Sequence, residues 1–196
     1  MQFIVPGLIM MNMLNATFNT TVLAFFLQKF TRSIEEVFVS PMSSHNIVIS
    51  LAISGIIRGF MTGIIVALIA FLFAPFSIRH GFYSLLFALL ANALFGLIGI
   101  IAGIYAKRFD ELTMIPMFII TPLAYLGGVF YPLNILPPFW QHVAQLNPLF
   151  YLITHFRQGF FGHLSDHIVI SSIAIALISV MLYAAAVRMI AKRTRL

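Results

Sequence analysis

The chain contains no cysteine. That excludes a disulfide framework and thiolate metal ligands, and it leaves the compartment unread from redox chemistry. Charge is nearly as scarce. Only 8% of the 196 residues are Asp, Glu, Lys or Arg, against roughly 25% in soluble domains. No GxxxxGK[ST] phosphate loop occurs, so the chain cannot hydrolyse a nucleotide by that route. The five acidic residues, Glu35, Glu36, Asp110, Glu111 and Asp166, form no paired-carboxylate arrangement, and no Ser-His-Asp set can be argued. No catalytic residue, cofactor or resident metal is expected. The formal charge of +6 does not point to nucleic acid, because the basic residues are scattered at span ends rather than clustered on one patch.

What fills the chain is apolar: 61% of residues are hydrophobic and mean hydropathy is +1.04. A helix needs about 20 mostly apolar residues to cross a bilayer. Five stretches qualify, at residues 3–27, 46–73, 82–106, 112–130 and 168–190. The expected fold is an all-α integral membrane protein, one domain over residues 1–196. Lys and Arg in short loops set orientation. Lys29, Arg32, Lys107, Arg108, Arg188, Lys192, Arg193 and Arg195 fall on one side, Arg79 and Arg157 on the other. The C-terminus is therefore expected in the cytoplasm and, with five spans, the N-terminus outside. That first span has no basic n-region and no A-x-A-like site, so it does not read as a signal peptide. It reads as one that has lost an upstream segment.

Between the last two spans the sequence stays apolar and aromatic but is broken by Gly127-Gly128, Pro132, Pro137, Pro138 and Pro148. Irregular backbone at membrane depth is tolerated only where protein buries it or a cavity faces it. Residues 131–162 are expected to form a re-entrant helical hairpin, with Trp140, Tyr131 and Tyr151 at the interface.

Four groups of residues stand out. Residues 28–45 mix Lys29, Arg32, Glu35 and Glu36 with apolar Ile34, Val37 and Phe38 at helical spacing, which fits either a docking helix or one lying on headgroups. Ser40-Pro41 ends it. Arg58 sits mid-span beside Gly55, Gly59 and Gly63, a small-residue line that permits close helix approach. Gly99 and Gly103 repeat that packing pattern. The first span carries Asn12, Asn15, Thr17, Asn19, Thr20 and Thr21, which either line a polar path or join helices. Asn12, Asn15, Arg58, Thr121 and Tyr125 are the pathway candidates. His163, Asp166 and His167 could hold zinc, and interfacial polarity explains them as well.

The segments MQFIVPGLIMM (1–11), KFTRSIEEVFVSPM (29–42), AKRFDELTMIPMFIITPLAYLGGVFYPLNILPPFW (106–140) and LNPLFYLITHFRQGF (146–160) carry a resemblance. In order along the whole chain, they resemble the permease subunits of bacterial ABC transporters of the type-2 exporter class, notably enterobacterial inner-membrane permeases. The resemblance implies six spans in a complete member, an amphipathic helix before the first, and a dimer working with two ATPase subunits in the inner membrane. It implies that this chain lacks the amphipathic helix and span one. It also implies that the 28–45 loop, with Lys107 and Arg108, faces the ATPase. Two other readings compete: a metal-dependent membrane enzyme at the outer face, and a non-transporting remnant. Substrate does not follow from the residues.

Overall fold

The computed structural model describes residues 3–31, 43–73, 79–162 and 167–193, and every regular element among them is helical. The helices are α1 (Ile4–Phe30), α2 (Ser44–Phe73), α3 (Gly81–Tyr105), α4 (Phe109–Ile115), α5 (Thr121–Leu126), α6 (Pro138–Gln145), α7 (Pro148–Phe161) and α8 (Ile168–Arg193). Five helical stretches are long and apolar enough to cross a membrane: α1, α2, α3, the run Phe109–Leu126, and α8. The five expected spans are all present. Their edges move by a few residues. α1 continues to Phe30 and α2 begins at Ser44, so the loop expected from residue 28 is shorter.

The fourth span is not one α-helix. A π-helical turn, Pro116–Ile120, joins α4 to α5. Pro116 and Pro122 each lack an N–H and crowd the preceding turn, and a π-turn is one way to relieve this within a continuous run. The Thr121 hydroxyl donates to the Pro116 carbonyl at 3.0 Å, a bond matching that wider turn. The helix ends at Leu126, short of the expected residue 130, because Gly128 adopts φ +78°, a left-handed conformation that favours glycine.

α3 lies at the centre, packed by α1, α2, α7 and α8. It is buried along most of its length, from Phe87 and Ala91 to Ile100 and Ile104. Between apolar helices in lipid, association rests on close packing and interhelical hydrogen bonds rather than on the hydrophobic effect. The sequence supplies both here. Gly55 of α2 faces Thr17 and Thr21 of α1; Gly59 faces Thr17 and Asn92; Gly63 faces Met13. A side chain at any of the three would overlap these atoms. On α3, Gly99 meets Thr21 and the Phe18 backbone, and Gly103 lies against Val22 and Phe25. The glycines expected to be packing residues are packing residues.

The contacts fix directions. α1 runs antiparallel to α2 (Met13 by Gly63, Thr17 by Gly55 and Gly59) and parallel to α3 (Thr21 by Gly99, Phe25 by Gly103). α7 runs back along the first half of α3, with Gly159 against Ser84 and the His155 ring 4.8 Å from Phe87.

Gly59→Leu is expected to destabilise the bundle by about 1–3 kcal/mol or more, the usual cost of overpacking. Arg58→Lys, on the outward edge, should stay near wild type. Thermal unfolding of both variants in one detergent checks this; a Leu variant as stable as wild type would show that the glycine line is not a contact.

Candidate functional site

One end of the bundle is basic. There the Lys29 ammonium donates to the carbonyls of Ile104 (3.2 Å) and Ala106 (2.8 Å). These lie at the C-terminal end of α3, where carbonyls lack intrahelical donors and the helix dipole favours a cation. Phe109 packs edge-on against Phe26 (4.7 Å between ring centres) and Phe30 (5.3 Å). The Glu111 carboxylate accepts the backbone N–H of Lys107 at 2.8 Å, holding the bend between α3 and α4. Lys107 and Arg108 are both exposed on that bend.

Lys29, Lys107 and Arg108, which the sequence assigns to one surface, are therefore neighbours. Lys29 differs from the expectation in one respect: its charge is turned inward as a helix cap. Arg32, Glu35 and Glu36, with the apolar face of Ile34, Val37 and Phe38, lie outside the described residues.

A second polar surface lies on the face of α1 and α2 that is turned away from α3. On α1 it carries exposed Asn12 and Asn19 and half-buried Thr20. On α2, Ser54, Arg58 and Thr62 each sit one residue before a glycine of the α1 contact, and Ser54 and Arg58 are exposed. Asn12 donates to the Leu8 carbonyl (2.8 Å), Asn15 to Met11 (3.0 Å) and Thr20 to Ala16 (2.7 Å). These side chains are satisfied by their own helix. Asn15 is half-buried.

The bond that joins α1 to its neighbours in mid-span comes from Thr17, one of the polar residues the sequence singled out, together with Asn92. Thr17 and Thr21 are completely buried. The Thr17 hydroxyl lies 3.1 Å from the Gly55 carbonyl and also bonds Asn92 Oδ1, while Asn92 Nδ2 donates to Ala88 at 2.7 Å. Asn92, the sole amide in an otherwise apolar span, was missed. Its isolation amid hydrophobic residues was the available signal, since a buried amide needs a partner.

The remaining candidates are dispersed. Thr121 is half-buried and bonded to Pro116, whereas Tyr125 is exposed and stacks on Phe130 at 5.1 Å. Among the hairpin residues, Pro138 and Pro148 open α6 and α7, where proline loses no hydrogen bond. Pro132 and Pro137 are in extended backbone, and Trp140 packs edge-on against Phe139. Asn147 caps α7, accepting the Leu149 N–H at 3.0 Å, and donates to the Leu123 carbonyl at 2.7 Å. That ties the hairpin turn to the fourth span.

Arg157 closes the other end of this unit. Its guanidinium donates to Gly128 O (2.7 Å) and Val129 O (3.4 Å), and it lies 3.7 Å from the centre of the Phe3 ring. With its 14 residues, α7 runs about 21 Å along α3, so Pro148 lies well inside the bundle relative to Gly159. His163 and Asp166 lie outside the described residues. His167 borders an apolar cleft of about 490 Å³ with Tyr151, Ser171 and Ile178. Among the described residues no group of His, Asp and Glu gathers to hold a metal.

The all-helical architecture with five candidate spans is consistent with what two comparisons show. The sequence pattern described as "ABC-2 type transporter" matches residues 1–161. The chain belongs to the ABC-2 type transporter family. It is 45% identical over 162 residues to "Inner membrane transport permease YadH" of Escherichia coli strain K12, covering 83% of this chain and 63% of that protein. The YadH proteins of Escherichia coli O157:H7 and Shigella flexneri give the same identity and coverage. The chain thus spans less than two thirds of the length of these relatives. No solved structure matches it.

In this ABC-2 permease, Arg157→Met removes charge-assisted bonds to the turn at Gly128–Val129. Such bonds contribute about 1.5–3 kcal/mol, and a comparable loss of thermal stability is expected. Phe3→Leu should lose less, about 0.5–2 kcal/mol, as it removes only the cation–π contact. Thermal unfolding in detergent orders the two; equal, negligible effects would show that Arg157 does not fasten the hairpin.

Proposed function

We propose that this chain is the membrane-spanning subunit of an ATP-driven exporter, non-enzymatic in itself, coupled to a separate ATPase subunit. The working unit is a homodimer of the permease with two ATPase subunits in a bacterial inner membrane. Its C-terminus is cytoplasmic and the N-terminus of this chain periplasmic. Family membership supports transport; the name of the YadH relatives supports the inner membrane.

The observation that carries the coupling is the brace at the basic end. Lys29 ties α1 to the end of α3, and Phe26, Phe30 and Phe109 tie both to α4. A push on the exposed Lys107–Arg108 bend, or on the segment bearing Arg32, Glu35 and Glu36, reaches α1, α3 and α4 together. α1 and the fourth span then move as walls of a path between two protomers. Asn12 and Arg58 lie on an open polar face suited to line it.

Lys29→Glu is a poor probe of docking, because it places a carboxylate against two carbonyls. Lys107→Glu with Arg108→Glu changes only outward side chains. In the reconstituted complex with the ATPase, this double reversal is expected to weaken association about tenfold or more, since like-charge juxtaposition at an interface costs several kcal/mol. Transport-coupled hydrolysis should fall with it, while thermal stability of the permease stays unchanged. Unaltered association and hydrolysis would remove this bend from the coupling surface.

A further inference from the structure

His155 lies on α7, which is not one of the five spans but packs along α3. Its side chain is only 3% exposed. The ring sits 4.8 Å from Phe87 of α3 and 6.4 Å from Tyr151, one turn back on α7. Its Nδ1 lies 3.0 Å from Gln158 Oε1. With that oxygen accepting, the proton of the neutral ring is on Nδ1 and Nε2 is a bare nitrogen. Nε2 is buried and has no partner among the described residues. The chain's own helices already enclose this atom, so what lies outside the bundle does not reach it.

The contact between α3 and α7 holds a second such atom. Ser84 Oγ, buried against Gly159, also lacks a partner. A backbone bond from the His80 N–H to the Gly159 carbonyl, 2.9 Å, crosses at the end of the contact. The His155 and Ser84 side chains add no bond to it, and the fit of the two helices there is one of shape.

Acid changes this fit at Nε2. Imidazole is the side chain whose ordinary charge change falls between about pH 5 and 8. Protonation adds a donor without an acceptor and a charge without a counter-charge, both unfavourable when buried. The surrounding helices carry nothing to offset it. α3 has His80 and Tyr83 at its start, with Arg79 before it; α5 has Tyr125, α6 has His142, and α1 has no ionisable side chain before Lys29. α7 itself carries Tyr151 and Arg157, the latter two positions on, about 200° around the helix, and bonded to Gly128. The acids among the described residues, Asp110 and Glu111, are at the opposite end of α3. Burial is the largest influence on the ring and lowers its pKa; the Gln158 bond raises it, and the charge of His167 on α8 lowers it. The faces of Phe87 and Tyr151 attract a cation, a smaller effect than the loss of water around it. A ring released into water protonates near pH 6.5, its ordinary pKa of about 6.5. The seated state is therefore fully favoured above that value and loses ground as pH falls below it.

We infer that His155 is an acid-sensitive latch: α7 stays seated on α3 while the ring is neutral and is released when Nε2 takes up a proton. The bonds of Asn147 and Arg157 run to the fourth span and the turn after it, so α7 leaves α3 together with that span. The inference goes beyond the exporter reading and does not rest on it, because its test needs no ATPase, nucleotide or substrate.

The chain has no native cysteine, so Ser84→Cys in the full chain reports on the contact. In phosphatidylcholine vesicles, a small membrane-permeant thiol reagent reaches this position only when α7 lifts from α3. Each rate is divided by that at Phe82→Cys, an exposed neighbour, which cancels the effect of pH on the thiol. From about pH 7.5 to about pH 5.5 the ratio is expected to rise several-fold, within the limit of about tenfold per pH unit that one linked proton sets. His155→Gln should hold the ratio constant. His155→Phe, which keeps a ring beside Phe87, should do the same and replaces the Gln variant if that one already labels fast at neutral pH. His80→Gln and His167→Gln should leave the rise in place. Nitrogen NMR of the histidine rings in the parent should show the His155 signal turning from neutral to charged over the range in which labelling rises. An unmoved ratio in the parent, a rise that survives the His155 variants, a rise abolished by His167→Gln, or a His155 ring that stays neutral throughout would each overturn the inference.

Discussion

Lipid gives apolar helices no hydrophobic reason to associate, so a five-span chain must hold itself together by close contact and by polar bonds shielded from water. In this protein both are concentrated where α1 crosses α2 and α3. Gly55, Gly59 and Gly63 let the α2 backbone approach α1, while Gly99 and Gly103 do the same on α3. Into that narrow space Thr17 and Asn92 place the bond that links α1 and α3, with Gly55 of α2 as the second acceptor neighbour. Interhelical bonds of this kind contribute about 0.6–2 kcal/mol each. The directional bonds and the absent side chains specify one register for three helices.

The peripheral elements depend on that core. α7 can lie along α3 because Gly159 admits Ser84, and the turn at Gly128–Val129 is fastened by Arg157 and by close approach to Gly7. The basic end depends on it too, since Lys29 reaches Ile104 and Ala106 only if α1 and α3 end at the same level. A chain of contacts thus runs from the exposed Lys107–Arg108 bend into the centre of the bundle. Polar side chains that are not needed for packing, Asn12, Asn19 and Arg58, are left on the face away from α3.

Much of this was legible in the residues. The glycine spacing on α2 announced a contact, and Gly127-Gly128 with the prolines announced a broken segment before the last span. Family membership was legible from ordered segments. What periodicity could not say is which residue faces which. Thr17 and Asn92 are separated by 75 positions, and nothing local to either identifies the other. Lys29 reads as a surface charge in a basic loop until α3 is seen to end beside it. The π-turn was hidden for a similar reason: two prolines in a span mark a disturbance without specifying how the backbone absorbs it.

The register of α1 on α2 can be read directly by cross-linking, since the chain has no native cysteine. Met13→Cys with Gly63→Cys places two thiols at a contact where the Met13 side chain fills the space a Gly63 side chain would need, and the shorter cysteine vacates part of it. In native membranes under mild oxidation this pair should form an intramolecular disulfide rapidly. Met13→Cys with Gly55→Cys, two turns out of register, should not. Cross-linking of the second pair with failure of the first would contradict the glycine-line packing on which the rest of this account stands.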